Sequence, residues 1–162
     1  MLAGAGDHLP ETPRLPGRRV AVVAALFNPG VVDRLLERCL EGLRSGAIDD
    51  GAIDVFRVPG AWEIPQTVAR LVETERYDGV VTLGCVIRGE TPHFDYVAGE
   101  AAHGLGAVAR RSRIPVVFGV LTVDTPAQAD ERADPLRGDK GAEFARSLLH
   151  MMALYDGLEE AP

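Results

Sequence analysis

Four short apolar runs alternate along the chain with longer segments of helical pattern. The runs cover residues 20–27, 52–58, 79–87 and 115–123, and they are rich in Val, Ile and Leu. Their length and composition predict buried β-strands. In the segments between and after them, apolar residues recur every three or four positions, which predicts amphipathic helices packed on the strands. These helical patterns cover residues 32–43, 64–72, 94–108 and 144–155.

The alternation of strands and helices determines the predicted fold class. Strands that are apolar throughout are typical of a parallel sheet with helices on both faces, joined by right-handed crossovers. We therefore predict an α/β protein: a three-layer α/β/α sandwich with a four-stranded parallel sheet, flavodoxin-like in organisation. The pattern alone describes a flavodoxin or a receiver domain equally well.

Prolines, glycines and polar residues mark the ends of the folded region. Residues 1–18 contain two glycines before Pro10, Pro13 and Pro16, and they are predicted to form a flexible arm. Residues 19–158 are predicted to form a single domain, followed by a polar tail at 159–162. The N-terminus lacks the apolar core of a secretory signal, and no apolar run approaches the roughly 20 residues of a membrane-spanning helix. A cytoplasmic protein is expected.

The charge balance limits the classes of partner. With 24 acidic and 17 basic side chains the net charge is −7, which argues against a general nucleic-acid or membrane-surface binder. An anionic ligand must therefore meet a local basic site. Cys39 and Cys85 stand far apart, without a CxxC pair or metal-ligand spacing. We predict two buried thiols, and neither a disulfide nor a metal site.

Ligands of such a sheet collect at the carboxyl ends of the strands, so the residues after each strand are the candidate site. After the first strand, Phe27 can stack on a planar ring, and Asn28 can either bond a heteroatom or cap the next helix. After the second strand, Trp62 and Glu63 bring an aromatic ring and a carboxylate to a turn. Glu63 can hold a polyol or heterocycle, or act only as a helix-start charge.

The loop after the third strand carries the most informative residues. Thr91 and Pro92 are typical of an N-cap and a first helical residue, which would turn free N–H groups and the positive end of the helix dipole towards the crevice. This predicts an anion site. His93 lies at the same helix start and can shuttle protons for a bound substrate.

Two cations follow the fourth strand. The stretch from Thr125 to Gln128 is typical of a capping box that opens a helix bearing Arg132. Lys140 is the only lysine of the chain and follows the break at Gly138. Arg132 and Lys140 can together hold a phosphate, or both can be solvated surface charges.

Several catalytic fingerprints are absent from the sequence. No GxGxxG, GxxxxGK[ST], GxSxG or HExxH occurs, so dinucleotide, P-loop and serine-hydrolase interpretations lose support. What remains is an aromatic pocket, a carboxylate, an anion-binding helix start, a histidine and two cations. This set suits cofactor-free chemistry between an aromatic heterocycle and a small phosphate.

Several stretches resemble the lumazine synthase family, in the same order from about residue 19 to residue 154. They are Phe27-Asn28, residues 60–65 (GAWEIP), residues 84–97 (GCVIRGETPHFDYV), residues 115–122 (PVVFGVLT) and residues 139–141 (DKG). Enzymes of this family are transferases of riboflavin biosynthesis. They condense 5-amino-6-(D-ribitylamino)uracil with 3,4-dihydroxy-2-butanone 4-phosphate, releasing phosphate and two waters, and require neither cofactor nor metal. The resemblance implies the same two small-molecule substrates here.

The resemblance also implies which residues bind the pyrimidine substrate. Phe27, which shares its motif with Asn28, would stack on the ring. Ala61, Trp62 and Glu63 would hold the ribityl chain, with Glu63 as the acceptor. The ring would further meet backbone groups of three consecutive residues at the end of the third strand, which are Cys85, Val86 and Ile87.

The same resemblance places the phosphate and the proton transfers. The phosphate would rest on Thr91, on Glu90 through its backbone N–H, and on Arg132. His93 matches the family's proton-transfer residue, suited to imine formation, phosphate elimination and ring closure. Proximity of the amine and the ketone would supply much of the remaining catalysis.

A shared active site is a further implication. In the family, Phe118, Arg132 and Lys140 would come from the neighbouring subunit of a pentamer, so the chain itself is the expected macromolecular partner. The N-terminal arm would pair with a neighbour's sheet, although its prolines weaken such pairing. A pentamer, a decamer and a sixty-subunit icosahedral shell all remain open.

Two other functions compete with this interpretation. A paralogue of the same fold, catalytically weak, would bind lumazine or flavin or form a cage, and it would tolerate the loss of His93 or Arg132. Both residues are present, which favours an enzyme. A receiver-like signalling domain would need acidic residues after the first strand and an acceptor Asp after the third. Phe27-Asn28 and Arg88-Gly89-Glu90 stand there instead.

Overall fold

A computed structural model describes residues 9–162, so residues 1–8 of the predicted arm lie outside the described part. The strands are β1 (Val20–Ala25), β2 (Ile53–Val58), β3 (Gly79–Ile87), β4 (Val116–Val117) and β5 (Val120–Val123). The helices are α1 (Pro29–Ser45), α2 (Ile64–Glu73), α3 (His93–Arg111), α4 (Pro126–Ala133) and α5 (Lys140–Glu160), with short 3₁₀ turns at Asp50–Ala52 and Ala61–Glu63.

The strands form one parallel sheet covered on both faces. β1 lies between β2 and β3, and β3 pairs on its other side with β4 and β5. Alternate side chains of β1 enter two cores, as the two-residue period of a strand requires. Val20, Val22 and Ala24 pack with α1, α4 and α5, whereas Ala21 and Val23 pack with α2 and α3. The predicted α/β/α sandwich is confirmed.

The predicted fourth strand is interrupted in the structure. Residues 118 and 119 separate β4 from β5, so the sheet formed by residues 9–162 has five strands and not the predicted four. Both short strands nevertheless keep one register on β3, with Val81 opposite Val117 and Gly84 opposite Val120. They therefore occupy a single position in the sheet, and the parallel order of the prediction is unchanged.

The interruption has a local cause at Gly119. A Cβ atom on Gly119 would lie 2.1 Å from the carbonyl oxygen of Thr82, so only glycine allows this close approach of two backbones. The Gly119 N–H donates to the Thr82 hydroxyl at 3.2 Å. The apolar pattern of residues 115–123 predicts one continuous strand. It does not reveal that the Gly119 N–H bonds a side-chain hydroxyl in place of a backbone carbonyl.

The helix starts agree with the prediction at one site and differ at another. Thr125 caps α4, because its hydroxyl accepts a hydrogen bond from the Gln128 N–H at 3.2 Å. For α3 the predicted start is one residue early: the helix begins at His93, with Pro92 in the cap position. Thr91 instead accepts a long hydrogen bond from the His93 N–H at 3.5 Å.

Part of the predicted flexible arm packs onto the folded domain. Leu15 of the predicted arm packs against the α1 and α5 core, and its N–H donates to the Gly46 carbonyl at 2.8 Å. The last helix runs to Glu160. Cys39 and Cys85 are buried free thiols, as predicted. Within residues 9–162, no helix combines the length and the apolar character needed to cross a membrane.

Candidate active site

A cavity of about 800 Å³ opens at the carboxyl ends of β1, β2 and β3. Small-molecule sites have volumes of roughly 300–1,000 Å³, so one ligand of moderate size, or two small ones, fits this space. The walls are the loops that follow the three strands and the first turns of α3. Ten of the predicted site residues line it: Phe27, Asn28, Ala61, Trp62, Glu63, Cys85, Val86, Ile87, Thr91 and His93.

The loop after β1 presents an exposed aromatic ring. Phe27 is 70% exposed, and its N–H donates to the Pro59 carbonyl at 3.1 Å, which extends the β1–β2 pairing into the loop. A phenyl ring with this exposure buries little apolar surface against the core of its own chain. Its backbone is fixed while its ring faces the cavity, which suits stacking on a planar ligand.

Asn28 stands at the N-cap position of α1, but its side chain holds two strand ends together and does not cap the helix. It precedes α1 with a left-handed backbone, φ 56°, and its side chain makes no capping hydrogen bond. Its Nδ2 donates to the Cys85 carbonyl at 2.8 Å. Asparagine tolerates this conformation better than most residues. Of the two interpretations drawn from the sequence, capping by the side chain is wrong, and the amide serves as a bridge from β1 to β3.

The loop after β2 fixes a carboxylate at the cavity wall. Glu63 Oε2 accepts a hydrogen bond from the Gly60 N–H at 3.0 Å, and the Glu63 N–H donates to the Gly60 carbonyl at 3.2 Å. One carboxylate oxygen is therefore used within its own turn. Oε1 has no hydrogen bond among residues 9–162, so it is free to accept from a ligand hydroxyl. Trp62, half-exposed, lies beside it.

The loop between β3 and α3 brings His93 to the cavity. His93 is exposed and is the first residue of α3. The His93 N–H donates to Thr91 and the Asp95 N–H to the Pro92 carbonyl, so it is mainly the positive end of the helix dipole that favours an anion at this end of α3. Thr91 adds a hydroxyl at the same point. The His93 imidazole and the Thr91 hydroxyl thus lie at one cavity, at the N-terminus of α3.

Arg88 braces this loop from outside. Its guanidinium bonds Asp124 at 2.9 Å and Asp95 at 3.4 Å, and it lies 4.3 Å from the centre of the Phe94 ring. The hydrogen bond that Arg88 donates to the Asp124 carboxylate is the main reason why the pKa of Arg88 is raised. The Arg88 guanidinium is therefore paired with two carboxylates. The Arg88 backbone N–H also donates to the Val123 carbonyl at 2.9 Å.

The Cys85 thiol is an inert part of the wall. Burial, with a smaller contribution from the Asp130 carboxylate, raises its pKa to about 11. Near neutral pH the sulfur therefore stays protonated, and a protonated thiol is a poor nucleophile. Cys85 contributes shape and backbone groups to this site.

Four predicted residues lie outside the cavity lining. Glu90 stands between two lining residues and is exposed. Phe118 lies at the interruption between β4 and β5 and is 42% exposed. Arg132, in α4, donates to the Gln128 carbonyl at 3.1 Å, and Lys140, the first residue of α5, pairs with Glu143 at 2.8 Å.

The structure adds residues that the sequence argument did not assign. Pro59, Gly60, Gly89, Phe94, Tyr96 and Val97 also line the cavity. A signal for two of them was present, because residues three and four positions after His93 share its face of the helix. Tyr96 is 71% exposed. Nowhere in residues 9–162 do three or more His, Cys, Asp or Glu side chains gather as a metal site would require.

Comparison with known proteins decides the family. The sequence model of 6,7-dimethyl-8-ribityllumazine synthases matches residues 17–156. The 6,7-dimethyl-8-ribityllumazine synthase of Gemmatimonas aurantiaca is 48% identical over 144 residues, which cover 89% of this chain and 88% of the relative. The chain belongs to the lumazine synthase family.

Membership in the lumazine synthase family confirms the resemblance found in the sequence, together with the fold class. It also confirms the assignment to the transferases of riboflavin biosynthesis. The match includes every strand and all residues of the cavity wall. A lumazine synthase fold thus carries the cavity at the carboxyl ends of its strands, where open parallel sheets bind ligands.

Proposed function

We propose that the chain condenses 5-amino-6-(D-ribitylamino)uracil with 3,4-dihydroxy-2-butanone 4-phosphate to 6,7-dimethyl-8-ribityllumazine. The observation that carries this proposal is the convergence on one cavity of an exposed ring, Phe27, a carboxylate oxygen, Glu63 Oε1, and the start of α3 with His93. These groups match a flat heterocycle, a polyol chain and a phosphate. No cofactor or metal takes part in the proposed reaction.

The proposed chemistry begins with the amine and the ketone. The 5-amino nitrogen attacks the ketone carbon, and loss of one water gives an imine. Loss of the C3 proton and of the C4 phosphate then gives an enol, whose tautomerisation turns C3 into a ketone carbon. The ribityl-bearing nitrogen closes the ring on this carbon with loss of a second water. Each step moves a proton, and the exposed His93 imidazole accepts and returns it.

The pyrimidine substrate is held by three parts of the wall in this proposal. Phe27 stacks on the ring, and Glu63 Oε1, beside Trp62 and Ala61, accepts from the ribityl hydroxyls. Backbone groups of Val86 and Ile87 meet the edge of the ring. The Cys85 carbonyl already accepts from Asn28, so its role is to keep this wall in place.

The phosphate requires a cation from elsewhere. The cavity lining within residues 9–162 contains no arginine or lysine, although the start of α3, with Thr91 and the Glu90 N–H, favours an anion. We infer that the neighbouring subunit of a pentamer, or of a multiple of pentamers, supplies it together with Phe118. Arg132 fits best, because it has no carboxylate partner among the described residues. Lys140 is paired with Glu143.

The first experiment follows product formation by absorbance with both substrates. We expect the wild type to exceed the uncatalysed rate and His93→Ala to be slower by roughly 100-fold, the lower range of general acid–base effects. His103→Ala is the matched control, since His103 is an exposed histidine of the same helix outside the cavity lining. A folded, assembled wild type without acceleration would contradict the proposal and favour a binding or cage-forming paralogue.

The shared site has a test of its own. Arg132→Ala should raise the KM for the butanone phosphate by at least tenfold, whereas Arg70→Ala, an equal charge change on α2, should not. Oligomers reassembled from a mixture of His93→Ala and Arg132→Ala chains should regain activity, because some interfaces then combine an intact His93 with an intact Arg132. Activity no higher than the sum of the separate variants would refute a site shared between subunits. The cytoplasmic location stays a prediction.

A further inference from the structure

Phe118 lies at the break between β4 and β5, which together occupy one position in the sheet beside β3. Among the described residues this position has no other break. Phe118 is followed by Gly119, and a Cβ atom on Gly119 would lie 2.1 Å from the Thr82 carbonyl oxygen and 2.9 Å from Phe144 Cδ2. The backbone at residues 118–119 is therefore pressed onto β3. The exposed Phe118 ring takes its direction from this short segment.

Thr82 fixes the segment with its side chain. In the register of the sheet, Thr82 stands opposite Phe118, and a regular parallel ladder would direct the Gly119 N–H to the Thr82 carbonyl. Instead, the Gly119 N–H donates to Thr82 Oγ1 at 3.2 Å, and the same hydroxyl donates to the Val117 carbonyl at 2.8 Å. One hydroxyl thus bonds the residues on both sides of Phe118.

The surroundings of Thr82 make this hydroxyl unusual. Thr82 is 0% exposed, and it is the only buried residue of polar or charged type in residues 9–162. A hydroxyl is buried without loss only when its hydrogen bonds are made, and water cannot replace them here. Both of its bonds go to the backbone beside Phe118, which indicates that the polar atom serves this segment and not the general core.

We propose that Thr82 is a positioning residue for the condensation reaction: its hydroxyl sets the direction of Phe118, the ring that each subunit presents to the pyrimidine site of its neighbour. This rests on the proposed function, because Phe118 does not line the cavity of its own chain that contains Phe27 and His93. Thr82 touches no substrate. It acts through the strand interruption, and its loss should weaken binding of the flat substrate while leaving the proton transfers intact.

The test compares Thr82→Val, which removes the hydroxyl at nearly constant size, with Thr82→Ser, which keeps it. Thr82→Val should raise the KM for the pyrimidine substrate roughly tenfold, because the Gly119 N–H loses its acceptor and the Phe118 ring is then no longer held in position. The kcat and the KM for the butanone phosphate should stay within twofold, and Thr82→Ser should resemble the wild type. Thr74→Val is the matched control, since it also removes a hydroxyl bonded to a carbonyl, Leu71 at 2.7 Å.

A double-mutant cycle separates positioning from general stability. In a Phe118→Ala background, Thr82→Val should add less than a twofold change, because the two residues act through one ring. An assembled Thr82→Val with an unchanged KM, or with equal losses in both backgrounds, would overturn the inference. If Thr82→Val does not assemble, Thr82→Cys, close in size and a weak hydrogen-bonding group, replaces it under the same criteria.

Hydrogen exchange distinguishes failure of this inference from failure of the proposed function. The peptide covering residues 115–123 should exchange amide hydrogens faster in Thr82→Val than in the wild type or Thr82→Ser. Faster exchange with an unchanged KM in an active enzyme would reject the positioning role alone. A wild type that forms no lumazine would reject the proposed function, and with it the role of Phe118.

Discussion

The amino edge of the parallel sheet, where its strands begin, differs from the carboxyl edge, where they end, in how its side chains are used. At the amino edge, where β1, β2 and β3 begin, two carboxylates have partners within the chain. Tyr77 donates to Asp54 at 2.7 Å, the Arg19 guanidinium bonds the same carboxylate at 3.2 Å, and the Arg19 backbone N–H donates to Asp78 at 2.8 Å. At the carboxyl edge, Phe27 and Tyr96 lie exposed around a cavity.

The difference separates stability from binding within one sheet. Groups at the amino edge find their partners inside the chain, so substitutions there should change the free energy of unfolding. Aromatic rings at the carboxyl edge have little contact with their own chain, so substitutions there should change substrate affinity. Polar side chains such as Asn28, Glu63 and Arg88 are exceptions, because they lie at the carboxyl edge and bond the chain itself. All unfolding measurements below require a fixed protein concentration, because assembly contributes to stability.

The largest expected effect is at the amino edge. Tyr77 is 4% exposed, packs edge-to-face on Phe56 with ring centres 6.2 Å apart, and donates to Asp54. Tyr77→Ala should lower the free energy of unfolding by about 3 kcal/mol, the cost of deleting a buried aromatic ring. Denaturant unfolding measures the loss. kcat/KM at low temperature should stay within twofold, and a tenfold fall in the folded enzyme would break the proposed division.

Asn28 should show a structural cost at the carboxyl edge. Asn28→Ala loses the hydrogen bond to Cys85 and places alanine at φ 56°, so the free energy of unfolding should fall by about 2 kcal/mol. Asn28→Gly loses only the bond, because glycine adopts this conformation freely, and should recover about 1 kcal/mol of that loss. Equal stabilities of the two variants would show that the left-handed backbone carries no cost.

Phe27 should show the reverse pattern. Phe27→Ala is expected to raise the KM for the pyrimidine substrate roughly tenfold, within the 1–3 kcal/mol typical of stacking on an aromatic side chain. The melting temperature should change by less than about 2 °C, because so little of the ring is buried. Leu26→Ala is the control, since Leu26 is the adjacent exposed apolar residue and lines no part of the cavity. An equal KM increase in both variants would argue against stacking.

The smallest effect concerns acid stability at the amino edge. The hydrogen bond from Tyr77, helped by Arg19, lowers the pKa of Asp54. A carboxyl with a lowered folded-state pKa stabilises the protein above its unfolded pKa of about 3.9, and this contribution disappears as the pH falls through the lower folded value. Asp54→Asn should therefore be less stable than the wild type at pH 7, by less than about 1 kcal/mol because Asp54 is partly exposed. The difference should shrink below about pH 4.

Much of the fold followed from periodicity, because the apolar runs and helical stripes are long and regular. The three strands that surround the cavity lie where the runs of Val, Ile and Leu place them, and so do their crossover helices. The break at residues 118–119 did not follow. It depends on a side-chain hydroxyl on another strand, Thr82, and the sequence does not reveal that a threonine inside an apolar run bonds the backbone of its neighbour.

The site followed from topology more than from residue type. The rule that ligands bind at the carboxyl ends of parallel strands brought Phe27, Glu63 and His93 to one edge, and these residues line one cavity. The function of Asn28 did not follow, because a residue before a helix normally caps it. Arg132 and Phe118 lie outside this cavity, and no pattern in one sequence describes a neighbour's surface.

The register on β3 is the same before and after the strand break, so the number of residues between β4 and β5 is constrained. Two residues, Phe118 and Gly119, face two residues of β3, so the pairing resumes in phase at Val120. Deleting or inserting one codon here would move every side chain of β5 to the opposite face, bringing Thr122 into the core and Val123 out of it. Length at this position should therefore be held more strictly among functional variants than the identity of the residues in the loops around the cavity.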